Sequence, residues 1–144
     1  MKNLGQDVEL TFSERNDTPD AALISEKLRL YIEEKFGLAH KKTFVAIIRT
    51  KDQEFLAGLK GYSHWGWLYI VHLWVDEGMR SKGLGKALLR AAEDQARVRG
   101  ARGVYVDTFE ASTRDFYVKA GFKEVGSIKD FPVGTSRYFL AKHI

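Results

Sequence analysis

"VDEGMRSKGLGKALL" runs from Val75 to Leu89. It holds Gly78, Gly83 and Gly85 together with Arg80, Lys82 and Lys86, after a run of β-formers and before an amphipathic helix. The opening turn of a helix has backbone N–H groups without partners and a partial positive charge. Glycine lets a ligand reach that backbone with no Cβ in the way. Bare backbone and positive charge at a helix start make a cradle for an anion, and the ligand expected there carries phosphate.

Three phosphate patterns compete for this stretch. The pattern G-x-x-x-x-G-K-[ST] fails, because counting from Gly78 the residue after Gly83 is Leu84 and not lysine. A dinucleotide turn, G-x-G-x-x-G, begins with Gly83-Leu84-Gly85 but meets Leu88 at the third glycine. Asp107 stands at a plausible distance for its ribose partner. However, Asp76 to Lys82 separate strand from glycine, and too little chain remains for a doubly wound sheet. The third pattern, Arg/Gln-x-x-Gly-x-Gly/Ala, is met in full by Arg80-Ser81-Lys82-Gly83-Leu84-Gly85.

Outward from the loop, Trp67 to Val75 is nearly all aromatic or β-branched, the composition of a strand buried on both faces. Downstream, Leu84, Leu88, Ala91 and Val98 share one helical face, and Lys86, Arg90, Asp94 and Arg97 cover the other, to an end near Gly100. Gly103 to Phe109 is a further strand, so residues 67–109 imply a right-handed parallel crossover. Ser112 is placed to cap a short helix running through Ala120 and ended by Gly121. Val125 to Phe131 and Ser136 to Lys142 are two last strands around the Pro132–Gly134 turn.

On the N-terminal side, Val8 to Phe12 reads as a strand. Thr18-Pro19-Asp20 opens a helix in which Ile24, Leu28, Tyr31, Ile32 and Phe36 recur at helical spacing, up to Gly37. Thr43 to Thr50 and Glu54 to Tyr62 form a hairpin. The order is β-α-β-β-β-α-β-α-β-β, a mixed α/β or α+β fold in one domain over residues 1–144.

Composition narrows the function. With 144 residues, 44% of them apolar, the chain can bury one core, and a net charge of +4 suits an anionic ligand without demanding nucleic acid. The absence of cysteine removes disulfides, thiolate nucleophiles and Cys-based zinc sites together. The four histidines show no metal-ligand spacing, so no metal is expected. No apolar run approaches the ~20 residues of a membrane helix. The N-terminus MKNLGQDVEL has no apolar signal-peptide core, and a cytoplasmic location is expected.

The matched loop resembles the coenzyme A pyrophosphate loop of the GCN5-related N-acetyltransferases (GNAT). "LWVDEGMRSKGLGKALL" resembles the central strand, loop and helix of that family, and "FYVKAGF" (Phe116–Phe122) resembles its later Tyr-x-x-x-Gly-Phe motif. The two occur in order with a strand between them, from about Trp67 to Phe122. The resemblance implies a mixed sheet with a splayed central strand and helices on both faces. It implies acetyl-CoA as co-substrate and direct transfer of acetyl to the amine of a small molecule or peptide. It places the backbone of Leu73 and Val75 against the pantetheine amides. The amides of Arg80, Ser81, Lys82, Gly83, Leu84 and Gly85 lie around the pyrophosphate, Lys86 at the anionic end of the cofactor, and Tyr117 near the thioester sulfur. The chain also departs from the family. Glu77 stands where proline is common, and Glu110 where an asparagine often touches pantetheine. Val71 stands where many members carry an acid that deprotonates the amine.

With that acid missing, His72 is the neighbouring candidate for a proton acceptor. Strand alternation sends residues 71 and 72 to opposite faces unless a bulge intervenes. His64, Trp65, Trp67 and Tyr69 read either as hairpin packing or as a wall for an amine. The segment Asp130–Gly134 followed by Arg137-Tyr138-Phe139 resembles the ending of a small bacterial-type subgroup of these enzymes. Two other readings stay open: a coenzyme-A-binding module without catalysis, and a nucleic-acid-binding domain using the basic helix, against which Arg90, Arg97 and Arg99 alternate with Glu93 and Asp94. The edge beside the last strand offers a surface for a homodimer.

Overall fold

The computed structural model describes residues 2–5 and 7–144, in two compact units, one ending at Ala39 and one spanning His40–Ile144. The first holds an antiparallel pair, β1 (Lys2–Gly5) and β2 (Val8–Leu10), and helix α1 (Pro19–Phe36). Strand β1 was not legible in the sequence. The expected helix start holds: the Thr18 hydroxyl accepts from the Ala21 N–H at 3.2 Å and Pro19 opens the helix. Arg29 bonds both Glu26 (2.6 Å) and Glu33 (2.8 Å), one turn away on either side. Of the residues at helical spacing, Ile24, Leu28, Tyr31 and Phe36 are exposed and Ile32 is half-buried.

The second unit is a six-stranded sheet with two helices. Its elements are β3 (Lys42–Arg49), β4 (Phe55–His64), β5 (Trp67–Val75), α2 (Leu84–Val98), β6 (Gly103–Thr108), α3 (Ala111–Lys119), β7 (Lys123–Lys129) and β8 (Ser136–His143). The spatial order is β3-β4-β5-β6-β8-β7, with β5 and β6 parallel and every other pair antiparallel. The last strand, β8, is thus interior, and β7 beside it is the edge. Helix α3 starts one residue before Ser112, and Glu110, not Ser112, holds the cap position.

Alternation selects the core. Ala57 and Leu59 of β4, Leu68 and Ile70 of β5, Val104 and Val106 of β6 and Leu140 of β8 point to one face. Leu88, Leu89, Ala92 and Ala96 of α2 close over them, joined by Tyr117 of α3 and by Phe122. Each large side chain buried here contributes about 1.5–3 kcal/mol. The expectation that β5 is buried on both faces is corrected: His72 and Trp74 are exposed. Four of the six strands belong to antiparallel pairs alone, and such sheets need only one apolar face.

Two irregularities in β5 prepare the site. Gly61 of β4 pairs Ile70, but the next residue, Lys60, pairs His72, so Val71 is an extra residue in a bulge. A Cβ on Gly61 would fall 2.0 Å from the Tyr69 carbonyl oxygen, so only glycine fits opposite it. On the other side, pairing of β5 with β6 stops at Ile70↔Val106. Beyond that point the two parallel strands diverge.

Candidate active site

The divergence leaves the β6-facing edge of Val71–Val75 without a strand partner, the splay expected for the central strand. Leu73 and Val75 lie on it, as the sequence implied. The Val75 carbonyl accepts instead from Nε of Arg80 at 3.0 Å. The Arg80 guanidinium stacks on Trp74 at 5.0 Å, and the Trp74 indole N–H bonds Asp76 at 2.8 Å. The side chain of Arg80 therefore folds back onto the end of β5, and its backbone N–H donates to the Glu77 carbonyl at 3.3 Å.

The loop itself passes through a one-turn 3₁₀ helix at Glu77–Met79 and then two left-handed residues, Ser81 (φ 63°) and Gly83 (φ 84°). A non-glycine residue there stores about 1–3 kcal/mol of strain, which the surroundings must offset. Gly83 is the cap of α2 and supplies no side-chain oxygen. The first bond that closes the helix runs from the Ala87 N–H to the Gly83 carbonyl, so the N–H groups of Leu84, Gly85 and Lys86 point out of the helix start without a helical acceptor. Lys82 and Lys86 are exposed beside them.

The two glycines serve different ends. A Cβ on Gly83 would meet nothing within 4 Å, so Gly83 is required by its left-handed backbone. A Cβ on Gly85 would come to 3.0 Å from the Phe116 ring, so Gly85 is required by the approach of α3. Tyr117 follows Phe116 on α3 and belongs to the same core cluster as Leu88 and Leu89 of α2. Tyr117 is 3% exposed and packs its ring against Phe116 (5.3 Å) and Phe122 (5.4 Å). Burial, and secondly the negative charge of Asp107, push its phenol up to about 12, so it stays protonated through the neutral range. Gly121, in the left-handed region at φ 98°, ends α3, and Lys142 donates to the Ala120 carbonyl at 2.8 Å.

His72 is exposed. The bulge at Val71 restores Leu73 and Val75 to the core-facing side, so His72 lies with Trp74 and Tyr69 on the opposite face. That face carries the aromatic cluster. Tyr69 stacks on Tyr105 (4.7 Å, 14° between planes), Tyr62 meets Tyr69 edge-on at 5.6 Å, and His64 bonds the Tyr105 hydroxyl at 2.8 Å. Burial, then Lys41, holds the His64 imidazole below its usual range. Trp67 packs against Tyr105 and His143. His64 and Trp67 are thus packing residues of the hairpin end, whereas Tyr69 reaches the splay. Its hydroxyl donates to Asp107 at 2.5 Å, and Arg137 donates to the other carboxylate oxygen at 2.6 Å.

This Tyr69–Asp107–Arg137 group escaped the sequence reading. The signal was an acid in the otherwise apolar run "GVYVDT". Glu110 takes a bond from Thr113 (3.3 Å), and Asp130 accepts from the Gly134 N–H (3.4 Å), so both carboxylates serve their own loops. Among the described residues, no three His, Asp or Glu side chains gather as a metal would require.

The model of the acetyltransferase (GNAT) family matches residues 8–122. The chain belongs to the GNAT acetyltransferase family. Among its relatives is the acetyltransferase Atu2258 of Agrobacterium fabrum, 36% identical over 119 residues, covering 83% of this chain and 87% of that one. The blasticidin-S acetyltransferase of Streptomyces morookaense is 38% identical over 92 residues, covering 63% of this chain and 68% of that one. Among solved structures, an acetyltransferase from Agrobacterium tumefaciens superposes with a TM-score of 0.85 at 33% identity, over 95% of this chain and all of that one. The GNAT fold expected from the sequence is the fold found, and the protein is an N-acetyltransferase. No described helix is long and apolar enough to cross a membrane.

Proposed function

We propose that this GNAT protein transfers acetyl from acetyl-coenzyme A to a primary amine by direct attack. The observation that carries the reading is the helix start of α2, where three outward N–H groups, a left-handed glycine cap and two exposed lysines lie beside the unpaired edge of β5. The residues fit the group: N–H donors and a positive helix end suit a pyrophosphate, and an unpaired strand edge suits the amides of a pantetheine arm. The bound thioester supplies the activated acetyl group.

The chain's own residues do the rest. The amides of Ser81 to Gly85, with Lys86, hold the phosphates, and the backbone of Leu73 and Val75 aligns the arm. His72, brought to the acceptor face by the bulge, takes a proton from the incoming ammonium. The free amine attacks the acetyl carbon, the carbon–sulfur bond breaks, Tyr117 gives its proton to the departing thiolate, and the proton shed by the new amide nitrogen returns to the Tyr117 phenolate. Most of the acceleration comes from holding two reactants together. The acceptor is a small molecule or the amine of a peptide. The relative from S. morookaense, named for a small antibiotic, supports the first.

Calorimetry with coenzyme A tests the cofactor half directly. Micromolar affinity that falls at least tenfold in Gly83→Asn is expected. Asparagine tolerates a left-handed backbone but places a side chain in the cradle. No binding by the wild type contradicts the reading.

A further inference from the structure

The proposed mechanism leaves unused a charged pair at the mouth of the splay. Asp107 lies one residue beyond the last β5–β6 pair, Ile70↔Val106. Val106 is in the core, so Asp107 faces the other way, toward Tyr69 and Tyr105. Its carboxylate is held at both oxygens, by the Tyr69 hydroxyl and by Nη1 of Arg137. The side chains of Asp107 and Arg137 are 17% and 23% exposed, so the pair is partly buried but still open to solvent.

Arg137 is built in with unusual care. Its guanidinium lies 4.3 Å from the Phe131 ring and 5.2 Å from the Phe109 ring. Phe131 belongs to the Asp130–Thr135 turn, closed by the Asp130 N–H on the Thr135 carbonyl (2.7 Å) and tied down by the Thr135 hydroxyl on the Phe109 carbonyl (2.8 Å). Yet Arg137 makes only one hydrogen bond among the described residues, out of five N–H donors, and its buried Nε has no partner. A guanidinium so placed and left so incompletely bonded is expensive to fold. A buried ion pair by itself adds little net stability. Both facts point to a ligand that completes the set.

We propose that the Asp107–Arg137 pair reads a zwitterionic acceptor, an α-amino acid whose ammonium sits on Asp107 and whose carboxylate takes the Nη N–H groups of Arg137 that Asp107 leaves unused. The proposal rests on the acetyltransferase reading given above. A zwitterion laid against an ion pair places each charge beside its opposite, and a planar guanidinium suits a carboxylate with two parallel bonds. Lys60 is exposed on this same face of the sheet and adds a cation to it, which favours a ligand carrying an anionic group besides its amine. The rings of Phe109 and Phe131, about half exposed, offer walls for an apolar side chain.

The test is equilibrium binding of three probes to the full chain saturated with coenzyme A: L-phenylalanine, L-phenylalaninamide and 2-phenylethylamine. They share ring and amine and differ in the carboxylate. L-phenylalanine is expected to bind at least tenfold more tightly than the other two. Arg137→Gln should erase that preference, and Arg137→Lys, which keeps the charge without the fork, should retain part of it. Equal binding of the three probes by the wild type, or no binding of L-phenylalanine, overturns the proposal, whether or not a variant folds. Preferential binding without acetyl transfer to any amine overturns the catalytic reading instead and leaves the pair standing.

Discussion

Tyr117 is where a single atom decides the chemistry. Its ring is held by Phe116 and Phe122, so removing the hydroxyl alone leaves the packing in place. Tyr117→Phe is therefore expected to bind acetyl-coenzyme A as the wild type does and to lose ~10²–10⁴-fold in kcat, the usual value of a positioned acid. A variant that keeps more than about a third of kcat, far outside that range, makes Tyr117 a packing residue. The raised phenol has a second consequence. An unfolded tyrosine ionises near 10 and Tyr117 near 12, so its protonated form contributes the same stability at all pH below the unfolded value. That contribution is lost as pH rises through the window between the two. Spectrophotometric titration of Tyr117→Phe against wild type should show one phenol missing from the end of the curve, not from its middle. His72→Gln tests the other proton. Loss of the acidic limb of the rate profile together with a ~10²-fold fall in rate is expected, and an unchanged profile returns the proton to solvent.

Among the elements, the strand-loop-helix from β5 to α2 was the most legible. Gly83, Gly85 and Arg80 stand at fixed offsets, and a left-handed cap is a local backbone requirement that glycine advertises. The bulge at Val71 was not legible in that way. Its cause is Gly61, on another strand, whose missing Cβ makes room for the Tyr69 carbonyl. Nothing in β5 alone announces a residue out of step, so the facing of His72 stayed open. The Asp107–Arg137 pair was hidden for the same reason, since it depends on β6 lying next to β8. Ser112 misled because a serine near a helix start is a good cap in general, while Glu110 already held the extended position. The roles of the two loop glycines can be separated by thermal unfolding and cofactor binding. Gly83→Ala should lower stability by about 1–2 kcal/mol through its left-handed backbone. Gly85→Val should clash with Phe116, costing about 1–3 kcal/mol, and weaken coenzyme A binding as α3 is pushed from the loop.

For the whole molecule, the family match runs from residue 8 to residue 122 and so extends over both compact units. We propose that the chain unfolds as a single domain. The first unit contains strands of four and three residues and one helix, too little to persist alone. A peptide of residues 1–39 should show little helix by circular dichroism. The basic charge is partly committed within the fold: Arg99 at the end of α2 donates to the carbonyls of Lys42 (2.6 Å) and Thr43 (3.1 Å), tying the helix to the edge strand. The lysines at the α2 start, Lys82 and Lys86, are exposed and not committed in that way. The most direct measurement is the release of free thiol from acetyl-coenzyme A by the purified chain, with and without a panel of primary amines that includes L-phenylalanine, and mass spectrometry of the amines afterwards. Amine-dependent thiol release matched one for one by an N-acetylated amine is expected, and so is its loss in Tyr117→Phe. Thiol release at the same rate with no amine present, and no acetylated product, would contradict it.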